Sequence, residues 1–378
     1  MTKRPRKTLK TVVFDLDQAM ESIAPTALAQ EWDNVGLIAG DPAATIHRVL
    51  LCIDLTHAVI DEAIRKRIEL VLAYHPPIFR PIGTLRADST GTDALVFRCV
   101  EEGIALYATH TALDAAEGGT NDVIAALLGI QQTEPLEWVD QAGSGQHKLV
   151  VFVPPEEVEK VADAMFAAGA GHIGDYSRCS YRTCGTGTFL GGKSTSPAVG
   201  RKGRLEYVEE VRLEAIVPGQ ALPSVIQSMI EAHSYEEPAF DIYPLKPKPA
   251  RGIGRVGALP GAITLSSLAR KLKRSTGATC VQTVGPVDRK VSRAVIVVGA
   301  AGSLPFRIPL MPRDVIITGE IRHHDALTIQ RHDCTAIALG HWASERPVLE
   351  PLAKRLQESL PGITLTVSQA DTDPFHPA

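Results

Sequence analysis

His341 and Glu345 stand four residues apart in the stretch Gly340-His341-Trp342-Ala343-Ser344-Glu345. An imidazole and a carboxylate one helical turn apart can share a divalent metal ion. The same residue types recur in Tyr74-His75, just before Pro76-Pro77, and in His110 with Asp114. Each group follows a short apolar run, at 70–73, 104–108 and 335–339, that reads as a buried strand. The carboxyl ends of strands are where open α/β sheets hold their ligands. Imidazoles with carboxylates suit zinc, manganese or iron. Singly, each group also has a quieter reading. Glu345 complements a helix dipole, His341 and His75 hydrogen-bond within turns, and Asp114 caps a turn or helix. Their recurrence at three strand ends is what points to a site.

A fourth strand end carries Thr318-Gly319-Glu320-Ile321-Arg322-His323-His324-Asp325. Adjacent histidines on a helix point about 100° apart, so both do not bind one ion. Glu320, His323, His324 and His110 are therefore read as supporting, substrate-facing or proton-shuttling residues, or, for the histidine pair, as a polar helix start. Gly299-Ala300-Ala301-Gly302-Ser303 is either a cradle of backbone N–H groups for an anion or a tight turn.

Strands and helices alternate up to about residue 128, the order of an α/β domain. Thr56 and Thr120 read as helix caps. Ser344 reads as the cap of a helix over 346–356, with Pro347 in its first turn. The pattern changes after Gly143-Ser144-Gly145. Strand, helix, two strands, helix and strand follow, the βαββαβ order of a ferredoxin-like domain, with a Gly/Ser/Lys-rich loop at 190–202 between its middle strands. Lys246-Pro247-Lys248-Pro249 reads as a linker, after which α/β order returns. The expected organisation is one α/β domain made from 1–145 and 247–378, interrupted by a ferredoxin-like domain at 146–246.

Composition narrows the class. At 378 residues the chain is too long for one compact core. A net charge of −4 gives no default attraction to nucleic acid or an anionic membrane. The six cysteines form no CxxC pair, which speaks against a structural zinc site or a disulfide framework and for free thiols in a reducing cytoplasm. Lys3, Arg4, Arg6, Lys7 and Lys10 precede no signal-type apolar segment, so they read as a solvated tail. No run is long enough to span a membrane.

Five ordered motifs resemble one family. They are Trp32-Asp33-Asn34-Val35-Gly36-Leu37, His75-Pro76-Pro77-Ile78-Phe79, His110-Thr111-Ala112-Leu113-Asp114, Thr318-Gly319-Glu320 with His323-His324, and Gly340-His341 with Ser344-Glu345. This set is similar to the Nif-three-like dinuclear metal centre hexameric proteins, the type 2 GTP cyclohydrolase homologues. The resemblance implies a layered α/β metal-binding domain with an inserted domain of the PII or CutA type, and a toroidal homo-hexamer. It also implies a pair of divalent ions held by His75, Asp114, His341 and Glu345. Where the family's usual pattern has a first paired histidine, this chain has Tyr74, which resembles the eukaryotic-type Tyr-His-Pro-Pro members, as does the tail Asp371-Thr372-Asp373-Pro374. A neutral phenol is a poor ligand for zinc, so one metal position is expected to be weak or filled by a water. Two functions fit: a metal-dependent hydrolase of a nucleotide-like or phosphate-containing substrate, and a non-catalytic metal-handling or regulatory protein.

Overall fold

The computed structural model describes residues 10–138, 145–245 and 251–376. The basic segment through Lys7 and the Lys246-Pro247-Lys248-Pro249 stretch lie outside them. The chain divides into two compact units, Met1–Val139 with Pro249–Ala378, and Asp140–Lys248.

The first unit is built on two five-stranded sheets. In the first sheet the order is Gly36–Ala39, Ala105–Ala108, Leu70–Ala73, Arg48–Cys52 and Thr364–Val367. Its last four strands run parallel, and Gly36–Ala39 pairs antiparallel at the edge. Parallel strands need both faces covered, so they read as unbroken apolar runs. Accordingly every residue of Leu70–Ala73 and of Ala105–Ala108 is buried. Alternation sorts their side chains: Val49 and Leu51 join a core with helices Val13–Ile23 and Leu349–Ser359, while Leu50 and Cys52 face helices His57–Arg65 and Thr92–Glu101. Thr56 caps His57–Arg65 as expected, its hydroxyl accepting from Val59 N at 3.3 Å.

The second sheet repeats the plan. Lys290–Ala300, Asp314–Glu320 and Thr335–Ala338 run parallel at its centre, with Arg255–Thr264 and Gln282–Val284 antiparallel at the two edges. A two-stranded ribbon, Glu137–Trp138 with Gly252–Ile253, accompanies it. Arg255 is buried and paired with Asp122 at 2.6 Å, and it also donates to the carbonyls of Gly252, Gly254 and Ala116. Such satisfaction is what makes a buried guanidinium tolerable.

The second unit is a four-stranded antiparallel sheet in the order Ser180–Leu190, Leu205–Pro218, Gln146–Val153, Phe240–Leu245. With helices Val158–Ala167 and Leu222–Ala232 it has the ferredoxin-like βαββαβ order. Its core lies between the sheet and those helices, through Leu149, Val151, Leu213, Val161 and Met229.

Two caps differ from expectation. Gly119, not Thr120, is the N-cap of helix Thr120–Leu128. Ser344 is inside a helix, His341–Glu345, whose N-cap is Gly340 at φ 89°. Glycine takes that left-handed backbone without a Cβ clash, so the helix starts earlier than Ser344 suggested. The expected helix over 346–356 accordingly divides into a 3₁₀ turn, Arg346–Val348, and Leu349–Ser359. In the Gly299–Ser303 segment, Gly299 and Ala300 end strand Lys290–Ala300 and the rest turns into the short 3₁₀ segment Leu304–Arg307; the Gly299 N–H is taken up by Ser344 Oγ at 2.8 Å. All six cysteines are free thiols.

Candidate metal centre

The carboxyl ends of the two parallel sheets supply one group of donors. Donor atoms of His75, His341 and Glu345 all lie within 4.8 Å of one another. His75 follows strand Leu70–Ala73 after one buried residue, Tyr74. His341 and Glu345 lie on the helix that leaves Thr335–Ala338, one turn apart on one face.

Each imidazole is held in the same way. His75 Nδ1 donates to Asp54 at 2.9 Å, and His341 Nδ1 donates to Glu320 at 2.9 Å. A carboxylate on Nδ1 fixes the tautomer and leaves Nε2 as the basic nitrogen, the usual support for a metal-bound histidine. Both Nε2 atoms turn to Glu345: His341 Nε2 is 3.1 Å from Oε1, and His75 Nε2 is 3.3 Å from Oε2. Glu345 Oε2 is buried and accepts no hydrogen bond. Two oriented imidazoles and a buried carboxylate with an unsatisfied oxygen fit a divalent ion, so this group can hold one.

Charge follows the geometry. Burial pulls the His75 imidazole down, but Asp54 and Glu345 outweigh it and raise its pKa to about 10. Glu345 raises His341 to about 9 against the opposing effect of burial. Glu345 is lowered, because His341 and His75 more than offset its own burial. A metal ion would take the place of these protons.

Two glycines allow the helix to come this close. A Cβ on Gly299 would lie 2.3 Å from Glu345 Oε1 and 3.2 Å from His341 Nε2. One on Gly319 would lie 2.8 Å from Ser344 Oγ and 2.9 Å from His341 Cα. Any side chain at either strand end would push the helix off the sheet. Ser344, in place of a cap role, fastens that contact by accepting from Gly299 N and donating to His341 O at 2.8 Å.

Asp114 and Tyr74 lie beside the trio. Asp114 sits in helix His110–Ala115, and its carboxylate accepts from the Tyr74 hydroxyl at 2.6 Å. Burial raises Asp114 to about 6. Burial, with Asp114 and Glu345, also pushes Tyr74 well up, so Tyr74 is a neutral donor here. His110 is ordered by Asp33, which accepts from His110 Nδ1 at 2.8 Å and from Thr111 N at 3.1 Å. Its ring centroid lies 5.3 Å from that of His75. At φ 26° His110 is a non-glycine residue in left-handed backbone, a strain that structures keep at functional sites. His323 and His324 are exposed at the start of helix His323–Arg331 and are not part of the donor group.

Of the residues expected to hold metal, His75, His341 and Glu345 come together and Asp114 lies outside their group; Asp54, Asp33, Gly299 and Gly319 had no expected role in building the site. The signal for Asp33 is its place in Trp32-Asp33-Asn34-Val35-Gly36-Leu37, one of the five motifs of the resemblance, which does not say that it meets His110. Asp54 ends an apolar run as Asp residues often do, and only the fold shows which imidazole it meets.

The two-sheet fold, with a His75, His341 and Glu345 group that could hold a metal ion, defines the class: an α/β protein with a candidate metal site. The model of the DUF34/NIF3 family (NGG1p interacting factor 3) matches residues 11–374, and the chain belongs to that family. It is 35% identical over 362 residues to a protein named GTP cyclohydrolase 1 type 2 homolog from Halalkalibacterium halodurans, covering 95% of this chain and 96% of that one. A Mycobacterium bovis protein of the same name is 38% identical over 376 residues, covering 97% and 96%. Among solved structures, a Bacillus cereus protein related to NIF3 superposes with a TM-score of 0.73 at 34% identity, covering 98% of this chain and all of that one. Among the described residues no helix is long and apolar enough to cross a membrane.

Proposed function

We propose that this protein is a metal-dependent hydrolase of a nucleotide-like or phosphate-containing substrate, working in the cytoplasm. The observation that carries the reading is the pair of imidazoles, each fixed through Nδ1 by a carboxylate and each aiming Nε2 at the buried Glu345. A divalent ion held there would supply the Lewis acid for hydrolysis. The chain's own residues do the rest. Asp54 and Glu320 keep the imidazoles oriented, and Glu320, about half exposed, is placed to pass a proton between His341 and solvent. Asp114 offers a carboxylate for a second ion, and the Tyr74 hydroxyl, by occupying one of its oxygens, makes that second position the weaker one.

Metal analysis tests this. Protein purified without added metal, then loaded with zinc, manganese or iron(II), is expected to bind one ion tightly and a second weakly. Asp114→Asn should lose the second ion, and Tyr74→His should strengthen it. Stoichiometric metal with no turnover across nucleotide and phosphodiester panels would overturn the hydrolase and leave the metal-handling reading, which the weak second position favours. From the motif resemblance alone we also propose a homo-hexamer. Light scattering should give a mass several times the 40.6 kDa chain.

A further inference from the structure

Trp32 and Phe79 are large, apolar and exposed, 58% and 49% respectively, in a unit whose other apolar bulk is mostly packed. They are not isolated. Their ring centroids lie 5.7 Å apart at 53°, and Trp32 meets the His110 ring edge-on at 5.9 Å. From His110 the next ring is His75 at 5.3 Å, and from His75 the next is His341 at 5.4 Å. A continuous path of ring contacts therefore runs from the exposed aromatic pair to the donor group.

The pair is also held firmly. Asn34 Nδ2 donates to Ile78 O at 2.6 Å, which ties the segment carrying Trp32 to the segment carrying Phe79. Asp33 N donates to Gln30 O at 2.9 Å, so Trp32 lies inside a hydrogen-bonded turn. Gln30 N in turn donates to Thr111 Oγ at 3.0 Å, and Asp33 takes both Thr111 N and His110 Nδ1. The residues on either side of Trp32 are thus fixed to the helix that carries His110 and Asp114. Two aromatic side chains left open to water forgo apolar burial, yet the residues flanking them, Gln30, Asp33, Asn34 and Ile78, are hydrogen-bonded. Preorganised aromatic surface of this kind lowers the cost of binding a flat partner.

We propose that Trp32 and Phe79 form a stacking site for a planar heteroaromatic ring of the substrate, presented to the metal centre across His110. The inference rests on the hydrolase reading for its purpose, though ring binding can be measured without turnover. It names two residues that select the substrate by shape. Aromatic stacking accepts any flat π-system and rejects a bare sugar phosphate, so the recognised class is a ring-bearing substrate.

The test uses the metal-loaded full-length protein and two probes, adenosine 5′-monophosphate and ribose 5-phosphate, which differ by the ring. Calorimetric titration is expected to show the nucleotide binding at least about tenfold more tightly, within the range that one stacked base contributes. Trp32→Leu and Phe79→Leu should each remove most of that preference, while Trp32→Phe, which keeps a ring, should retain it. Metal content should stay unchanged in all three variants. Equal binding of the two probes by the parent protein overturns the proposal, and so does a preference that survives both leucine variants. A fall in assembly mass in the leucine variants with ring preference intact also overturns it, and shows a contact between copies instead. A protein that prefers the ring but turns nothing over refutes the hydrolase and keeps the stacking site.

Discussion

The two sheets of the first unit share a plan but contribute differently to the site. Each has parallel central strands, and each sends donors from the carboxyl ends of those strands. The second sheet delivers both His341 and Glu345 on one short helix, docked against bare glycine backbone at Gly299 and Gly319. The first sheet delivers His75 from a loop, with His110 and Asp114 from a separate helix, and flanks them with aromatic side chains. One side is a rigid ligand pair set by local helical spacing. The other is assembled from separate segments by carboxylates, the partly exposed Asp54 on His75 and the buried side chain of Asp33 on His110. If an ion is held there, such a division would let the second sheet fix its position while the first sheet shapes what approaches it.

The comparison breaks most sharply at Glu345, the one donor that both sides share. Glu345→Gln should cut metal affinity by at least about 100-fold, since it removes a charged ligand placed between two imidazoles. Elemental analysis after dialysis checks this, and retention of metal would show that the two imidazoles suffice without the carboxylate. Next in size is Gly299→Ala, whose Cβ would lie 2.3 Å from Glu345 Oε1. It should lower metal affinity by about tenfold or more. Gly302→Ala is its control, because Gly302 has a similar left-handed backbone at φ 53° with open space around it. The control should cost about 1 kcal/mol of stability from strain and leave metal binding intact.

Asp54→Asn and Glu320→Gln sharpen the comparison by loosening one histidine from each side. Both should weaken metal binding by about tenfold, within the range for outer carboxylates of metal sites. A large effect from one and none from the other would mean that the two sheets do not hold their histidines equivalently. A separate expectation concerns pH and the metal-free protein. The folded-state values of His75 and His341, about 10 and about 9, lie above the unfolded value near 6.5. Their contribution is therefore fully present below about pH 6.5 and lost as pH rises through 9 to 10. Thermal unfolding should fall over that window in metal-free protein, and the slope should flatten in His341→Ala. Metal affinity should rise over the same window, because binding displaces those protons.

Much of this was legible in the sequence, for identifiable reasons. The buried parallel strands announced themselves as unbroken apolar runs, and the ferredoxin-like order showed in alternation along Leu205–Pro218. Three edge strands did not. Gln282–Val284 is only three residues long, Arg255–Thr264 is interrupted by Gly257, Pro260 and Gly261, and Thr364–Val367 is barely apolar. Edge strands tolerate proline and polar residues because one side needs no partner, which erases the pattern. At the site, the ligand types could be read from strand ends, while their partners could not. Asp54 meets His75 across 21 positions and Asp33 meets His110 across 77, distances at which spacing carries no information.

Asp371 carries a further consequence. It accepts from Ile53 N at 2.9 Å and from Trp342 Nε1 at 3.0 Å, so it joins the strand end that carries Asp54 to the helix that carries His341. Ile53 and Asp371 are 318 positions apart. On the ribosome the His75 side is made long before its counterpart, and the intervening unit, with its own core, is finished in between. The donor group therefore closes through one of the longest loops in the chain, a contact that is paid for in entropy before it rewards anything. A nascent chain would carry half a site until the helix with His341 and Glu345 is made and docked. Metal uptake would in this way report that the two distant halves of the site have folded together.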